Sequence, residues 1–257
     1  MAYSQQQILK FDHELERVKD ALDDTLLACV RSAQAANPSS AEYLSHGVGR
    51  RIKTMKRCIS NVFALLPPSA TKPARGFNVE DAQISLQAFV MNVYGVFDNL
   101  AWAFVLRHSL EKVVGGRKCI GMFLSSTQCQ LPKPLRDYFT LPSTTQWHAD
   151  YLKSYRDSLA HRIPPYIPPS AFTPDEGREY QRLEGEGLDL LQAGKLDDHD
   201  EVRRRQSELG SACFMFIHSY IDKESSRPAY LHPQMICDAL TVIEACDVFF
   251  KHWHDQA

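Results

Sequence analysis

An arginine, a carboxylate and a histidine lie close together in the chain, directly before a pair of prolines. They are Arg156, Asp157 and His161, and Pro164-Pro165 follow. Arginine carries a fixed planar cation whose fork of N–H groups suits a phosphate or a phosphorane. Histidine exchanges protons near neutral pH, which suits general acid or base catalysis. These residue types at this spacing could therefore act on a phosphate-containing substrate.

The residues around the motif predict the end of a helix that runs from about Thr144 to Ile163. One arc of this helix is apolar and is expected to face the core, and it is formed by Trp147, Tyr151, Tyr155 and Leu159. Arg156 and His161 flank the opposite, polar arc, roughly 140° apart and separated by about 7.5 Å of rise. One chain's pair therefore does not converge on a single atom. A two-fold dimer could bring an arginine and a histidine from each chain into one cleft.

Asp157 precedes His161 by four residues, a spacing at which two side chains on a helix can touch. Both the end of the helix dipole and the carboxylate of Asp157 are expected to favour the charged imidazole. The alternative interpretation is structural, with a surface arginine and a histidine that caps the helix beside the prolines. The residues alone leave both interpretations open.

Apolar residues at three- and four-residue steps recur along most of the chain and predict an all-α fold. The predicted helices cover residues 4–36, 41–66, 78–112, 144–163, 174–193, 198–209 and 232–254, with a short breaker at 37–40. Residues 113–142 are expected to be irregular and 164–174 to be extended, while 212–220 could form a strand or a buried coil. We expect a single all-α domain of residues 1–257, an antiparallel bundle with a hairpin at 4–66 and a helical extension at 174–255.

The helix predicted to begin at Asn78 is apolar nearly all round, which is typical of a central, buried helix. Asp98 and Asn99 interrupt its apolar sequence. A charge at such a position should have a partner or face a cleft. These two residues are therefore candidates for polar support of the motif.

A basic cluster lies on the second predicted helix and is expected to face solvent. Its members are Arg50, Arg51, Lys53, Lys56 and Arg57. Two interpretations remain open, a solvated helix face and a patch that contacts RNA phosphates. No aromatic residue lies between these charges, so stacking on bases is not indicated.

Composition limits the remaining alternatives. With 29 Lys+Arg against 31 Asp+Glu, the net charge of −2 supplies no global attraction to nucleic acid or anionic membranes. No signal peptide, membrane span or metal-ligand motif is apparent, and no cofactor is predicted. The seven cysteines lack a C-x-x-C pair and are expected to be reduced thiols of a cytoplasmic protein.

The stretch Arg156-Asp157-Ser158-Leu159-Ala160-His161 resembles the R-x(4–6)-H motif of the HEPN superfamily. It has a polar residue directly after the arginine and lies at a helix end in an all-α chain, as in that superfamily. The preceding helix with Asp98-Asn99 among aromatic residues is also similar to one type of bacterial HEPN-like protein. The resemblance covers about residues 78–165, whereas the C-terminal region matches no pattern of the superfamily.

The resemblance implies a metal-independent endoribonuclease that acts as a homodimer. His161 would be the general acid or base, Arg156 would stabilise the phosphorane, and Asp157 would orient them. A defence or toxin–antitoxin setting, with an antitoxin or regulatory protein as partner, is also implied. Ile163 stands where one toxin branch has a tyrosine, so regulation through that tyrosine is not expected.

Two other classes of function remain open from the sequence. The first is a helical dimer without catalytic activity that binds RNA or a partner protein through the basic cluster. The second is a helical adaptor with no role in nucleic-acid binding.

Overall fold

A computed structural model describes residues 3–74, 77–219 and 227–255. The chain is mostly helical, so the all-α prediction is confirmed. The helices are α1 (Gln5–Gln34), α2 (Pro38–Glu42), α3 (Gly49–Leu65), α4 (Asn78–Arg107), α5 (Ser125–Gln128), α6 (Lys133–Phe139), α7 (Pro142–Gln146), α8 (Lys153–His161), α9 (Pro174–Gln192), α10 (Leu196–Ser207) and α11 (Leu231–His252). Two short strands, β1 (Met215–Phe216) and β2 (Ala229–Tyr230), pair antiparallel.

Two π-helical segments join α-helices into longer rods. The first π segment, Tyr43–Val48, links α2 to α3, and the second π segment, Trp147–Leu152, links α7 to α8. Each rod remains helical throughout, because the residues that flank both segments have helical backbone angles. A π-helical turn inserts one extra residue, so side chains beyond it point about 100° away from the positions that an unbroken α-helix would give them. Neither segment was predicted from the sequence.

The helix starts follow local capping chemistry. Ser4 accepts a hydrogen bond from the backbone N–H of Gln7, and the Gln7 side chain accepts one from the backbone N–H of Ser4. Asn37 caps the next rod through the backbone N–H of Ser40, so helix begins at Pro38, inside the stretch predicted to be a breaker. The other predicted helices begin and end within a few residues of the observed ones.

Helix α4 lies at the centre of the molecule. Helix α3 packs along it, α8 and α11 contact it, and α1 packs against both α3 and α11. Phe89, Phe97 and Phe104 are fully buried on α4, within one hydrophobic core that extends from α1 to α11. Among the described residues, α4 is also the one helix long and apolar enough to cross a membrane, but most of that stretch is buried by other helices. Burial inside the protein explains its composition, as is typical of a core helix.

Helix α4 is shorter than predicted. It ends at Arg107, and Ser109 adopts a left-handed backbone conformation with φ of 55°. The left-handed region is unfavourable inside a right-handed helix, so the chain leaves the helix axis there rather than near residue 112. Residues 113–142, predicted to be irregular, contain the short helices α5 and α6.

The C-terminal part contains a pair of helices and a short region of antiparallel strand pairing. Helices α9 and α10 pack on each other. The extended stretch before α9 bridges to the β1 region through the pairs Tyr166–Ile217 and Ala171–Ser211. Of the segment predicted as strand or buried coil, residues 215–216 are strand, and Tyr220 lies outside the described residues.

A buried carboxylate ties the second π segment to α11. Asp238 is 1% exposed and accepts hydrogen bonds from Trp147 Nε1 at 3.0 Å, Tyr151 Oη at 2.7 Å and Gln234 Nε2 at 2.8 Å. Burial raises the pKa of Asp238 to about 6, although the three donors partly offset this effect. Loss of solvation therefore outweighs the hydrogen bonds.

We expect Asp238→Asn to remove a pH-dependent loss of stability. Because the pKa of Asp238 is about 6 in the folded protein and 3.8 ordinarily, the native state binds this proton more tightly than the unfolded state. The stabilisation is complete below about pH 4 and is lost as the pH rises through about 6, by about 3 kcal/mol in all. Urea unfolding of both proteins from pH 4 to 8 measures the difference.

Asp20→Asn, on the exposed surface of α1, is the matched control and should leave the pH profile of the unfolding free energy unchanged. A difference between wild type and Asp238→Asn that stays constant across this range would contradict the buried, proton-retaining carboxyl group.

Candidate functional site

The motif occupies the end of α8. The helix ends at His161, and Arg162 leaves it with φ of −136° and ψ of −143° before Pro164-Pro165. Proline disfavours helical backbone in the residue before it, which explains why the helix stops here. Because α8 is a regular α-helix over the motif, Arg156 and His161 point in directions roughly 140° apart.

Arg156 is held against α4. Its Nη2 donates to Tyr94 Oη at 2.7 Å, and its Cζ lies 4.0 Å from the centroid of the Tyr94 ring. Its Nη1 lies 3.1 Å from Asp157 Oδ1, and the arginine side chain is 24% exposed. Nε of Arg156 is buried and has no hydrogen-bond partner among the described residues. The guanidinium is thus oriented by an aromatic face and a carboxylate while it keeps unused donors.

Asp157 and His161 do not form the predicted contact. The Asp157 carboxylate pairs with Arg156, while His161 is exposed and makes no hydrogen bond or ion pair within residues 3–74, 77–219 and 227–255. The neighbouring guanidinium is always charged and offers a stronger partner than an exposed imidazole. Asp157 therefore positions the arginine of the motif and leaves the histidine open to solvent.

The charges of two arginines from different helices act on Asp98. Burial raises the pKa of its carboxyl group, and the charges of Arg156 on α8 and Arg51 on α3 oppose that rise. Burial also raises the pKa of Tyr94, helped by the charge of Asp98 and opposed by Arg156. Asp98 is thus an electrostatic partner of the motif arginine, as its position in an apolar helix suggested.

Asn99 supports Arg51 rather than the motif. Nε of Arg51 donates to Asn99 Oδ1 at 2.9 Å, and Nη1 donates to Asn92 Oδ1 at 3.3 Å. A Cβ atom on Gly95 would clash with the Arg51 guanidinium, and one on Gly47 would lie 2.8 Å from Asn99. Two glycines therefore make the room in which this arginine and this amide meet.

The basic cluster is split between three environments, so the prediction that all five cations face solvent is wrong. Arg51 turns inward to α4, and Lys56 forms an ion pair with Asp23 of α1. Arg50, Lys53 and Arg57 are exposed on α3. Spacings of three and four residues place these last three on one face of the helix. The exposed basic surface is therefore narrower than the sequence suggested.

His148 and Tyr94 also belong to the site, although neither was predicted from the sequence. They line a pocket of about 420 Å³ together with Phe97, Asp98, Phe123 and Lys153. His148 stacks on Phe123 with 3.7 Å between ring centroids. Burial, with the nearby charges of Lys153 and Arg156, lowers the pKa of His148 to about 4. His148 is therefore a neutral wall of the pocket at neutral pH.

The sequence contains a signal for the surface of α4 that receives Arg51. Asn92, Gly95 and Asn99 recur at helical spacing and form one polar, small-residue stripe on the apolar helix α4. No comparable signal exists for His148, because it lies in the second π segment, where an α-helical wheel misplaces side chains.

No group of three or more His, Cys, Asp or Glu side chains that could hold a metal ion occurs in the described part of the chain. The chain matches no protein-family model, and no curated protein or solved structure is significantly similar to it.

We expect Gly95→Ala to lower the free energy of unfolding by about 1 to 3 kcal/mol, because the added methyl group must displace Arg51. Intrinsic helix propensity alone would favour alanine by about 1 kcal/mol. In a Gly95→Ala/Arg51→Ala double variant, the loss of unfolding free energy should be smaller than the sum of the losses in the two single variants. The reason is that the added methyl group no longer meets the guanidinium of Arg51. Chemical denaturation of the four proteins measures this coupling.

Gly185→Ala is the matched control, since Gly185 is exposed on α9 and a Cβ there meets no atom within 4 Å. It should stabilise the protein slightly. A Gly95→Ala variant as stable as Gly185→Ala would show that Arg51 does not lie against Gly95.

Proposed function

We propose that the chain is a metal-independent endoribonuclease of the HEPN type that acts as a cytoplasmic homodimer, with a HEPN-like core at about residues 78–165. One observation carries the proposal. At the end of α8, Arg156 is oriented by Tyr94 and Asp157, and His161 of the same motif is exposed one and a half turns further on. An imidazole can transfer the protons and a fixed cation can stabilise the developing charge when RNA is cleaved without a metal.

The reaction is an internal phosphoryl transfer. The ribose 2′-hydroxyl attacks the adjacent phosphorus and gives up its proton, while the bond to the 5′-oxygen breaks and that oxygen takes up a proton. The products are a 2′,3′-cyclic phosphate and a 5′-hydroxyl end. His161 moves the proton, and Arg156 stabilises the charge that develops on the phosphorane oxygens.

Arg156 can bind a phosphate without leaving its present position. A guanidinium has five N–H donors. One Nη2 donor binds Tyr94 and Nη1 faces Asp157, so the second N–H group of Nη2 remains for a phosphate, whereas Nε is buried. The partly buried position of Arg156 strengthens its interaction with an oxyanion relative to an exposed arginine.

A dimer would bring together an arginine and a histidine that point apart within one chain. Since the two motif side chains diverge by roughly 140° along α8, a second α8 beside the first would bring an exposed His161 toward the neighbouring Arg156. RNA is the proposed substrate. By the same resemblance, the proposed setting is defence or a toxin–antitoxin pair, in which an antitoxin or regulatory protein would control the activity.

We expect purified protein to cleave tRNA or total RNA in the presence of EDTA and to leave 2′,3′-cyclic phosphate ends. His161→Ala should reduce the rate by about 10² or more, the usual contribution of a general acid or base. Arg156→Lys keeps the charge but loses the fork, and it should reduce the rate by roughly 10². Activity per chain should fall on dilution as dimers dissociate.

His13→Ala is the matched control, because His13 is an exposed histidine on α1, remote from the motif in sequence. His161 is also exposed, so neither substitution should disturb the core. Cleavage that is unchanged in His161→Ala would overturn the assigned role, and EDTA-sensitive cleavage would overturn the metal-independent mechanism.

A second candidate function is RNA binding without cleavage. The exposed row of Arg50, Lys53 and Arg57 favours it, because none of the three has an ion-pair partner in the described residues. Unpaired surface cations on one helix face are available for phosphate contacts.

For this second function we expect RNA affinity to depend steeply on salt. Arg50→Gln/Lys53→Gln/Arg57→Gln should weaken binding and reduce the slope of log affinity against log salt by about 2, at about 0.7 per lost contact with single-stranded RNA. Filter binding over a range of salt concentrations measures both quantities. Arg178→Gln/Arg182→Gln/Arg204→Gln, in exposed ion pairs on α9 and α10, is the control. Equal slopes for the two triple variants would exclude the row as the contact surface.

A further inference from the structure

A second pocket, distinct from the one beside Arg156, lies between the first π segment, α3 and α4. It has a volume of about 500 Å³, and the residues that matter here are Tyr43, His46, Arg50, Arg51, Asn92 and Asn99. We call it the Arg51 pocket. Its volume lies within the range typical of sites for small ligands.

Arg51 is built into the wall of this pocket. The two side-chain oxygens that hold its guanidinium belong to neutral amides, those of Asn99 and Asn92. Within residues 3–74, 77–219 and 227–255, Arg51 forms no ion pair with a carboxylate. The amides themselves therefore fix the direction of the fork without adding a negative charge, although the charge of Asp98 acts on Arg51 without direct contact, and three of the five N–H donors remain unused.

A second arginine lies beside Arg51 in the pocket. Arg50 and His46 are exposed and line it beside Arg51, and Glu42 is the one acidic residue among the described residues that line it. Arg50 makes no side-chain hydrogen bond in the described part of the chain. Two arginines that are free of direct carboxylate contacts thus converge on one concave site.

One wall of the pocket is aromatic. Tyr43 lines it, and its ring is fixed by parallel stacking on Trp102, with 5.3 Å between centroids and 9° between planes. Because the ring cannot swing away without losing this stack, it offers a rigid surface to the uncharged part of a ligand. The pocket therefore combines an oriented cation with a fixed aromatic face.

We propose that the Arg51 pocket binds a ligand that carries a phosphate group, with Arg51 and Arg50 on the phosphate and Tyr43 against the remainder of the ligand. Phosphate suits the site better than a single carboxylate, because its several oxygens can accept donors from both guanidinium groups at once. The phosphate could belong to a free phosphate ester or to a chain of RNA. The proposal goes beyond the ribonuclease function, since it involves neither Arg156 nor His161.

Calorimetric titration tests the proposal, with pyrophosphate, AMP, adenosine and a short single-stranded oligoribonucleotide as probes. Each titration uses the full chain with His161→Ala as background, so that cleavage neither consumes RNA nor affects the result. We expect pyrophosphate or AMP to bind and adenosine, which lacks a phosphate, not to bind. Arg51→Met should weaken binding at least about tenfold and Arg50→Gln several-fold.

Three further variants keep the result interpretable. Gly95→Ala leaves every lining residue in place but should displace Arg51, so it should weaken binding without removing a charge. Lys251→Gln removes an exposed cation on α11, outside the pocket, and should leave affinity unchanged. Arg50→Gln alters an exposed side chain and should fold normally, so it remains informative if Arg51→Met does not fold.

The outcomes separate the two sources of phosphate. Binding of AMP or pyrophosphate that the oligonucleotide does not displace assigns the pocket to a free phosphate ester. Binding of the oligonucleotide alone, lost in Arg51→Met, assigns it to RNA. The proposal is overturned if none of the phosphate-bearing probes binds at about 1 mM, or if Arg50→Gln and Gly95→Ala bind them as tightly as the starting protein.

Discussion

A carboxylate, that of Asp98, lies within the most apolar helix of the protein, where burial disfavours its charge. Desolvation of a lone charge such as that of Asp98 costs several kcal/mol unless cations lie nearby. Two arginines, one from α3 and one from α8, offset this cost only in part, because burial still raises the pKa of Asp98 above its ordinary value. The charge of one residue on α4 thus interacts with guanidinium groups from two other helices. Those guanidinium groups line, or lie beside, the two polar pockets along the central helix.

The neutral amides next to this carboxylate have a different effect. Asn92 and Asn99 accept hydrogen bonds from Arg51 but carry no charge. The guanidinium is therefore fixed in direction while its charge still acts on its surroundings. At Arg156 the fork is held by a phenol and by the carboxylate of Asp157, so part of its charge is already balanced. Arg156 therefore has a carboxylate in direct contact, whereas Arg51 has none among the described residues.

Much of the helical framework could be predicted because it rests on local signals. Ser4 caps α1, and the apolar steps of α1 and α11 mark the extents of these helices to within a few residues, whereas α4 ends earlier than its apolar pattern predicts. The two π segments could not be predicted, because an extra residue in a turn leaves no mark on local composition. Its presence depends on how the rod must pack against α4.

The candidate site, too, could be predicted from the sequence only in part. Arg156 and His161 could be selected from their types and spacing, since the motif lies within one helix. The direction of Asp157 could not, because it depends on competition between two neighbours. Arg51 was assigned to solvent from the charge pattern of α3, whereas Gly95 and Asn99, more than 40 positions away, draw it inward. The stripe of Asn92, Gly95 and Asn99 marks a polar face of α4, but a single sequence does not show which distant residue that face contacts.

The second π segment also has a consequence for how such a site could arise or be lost. A rod that contains one surplus residue can keep α7 seated on its neighbours while every side chain of α8 is turned by about 100°. Deletion of a single codon between Trp147 and Leu152 would restore an unbroken α-helix and rotate Arg156 away from Tyr94, with no change to either residue. The one inserted residue sets the direction in which the side chains of α8 point, so the site depends on it as much as on the side chains themselves.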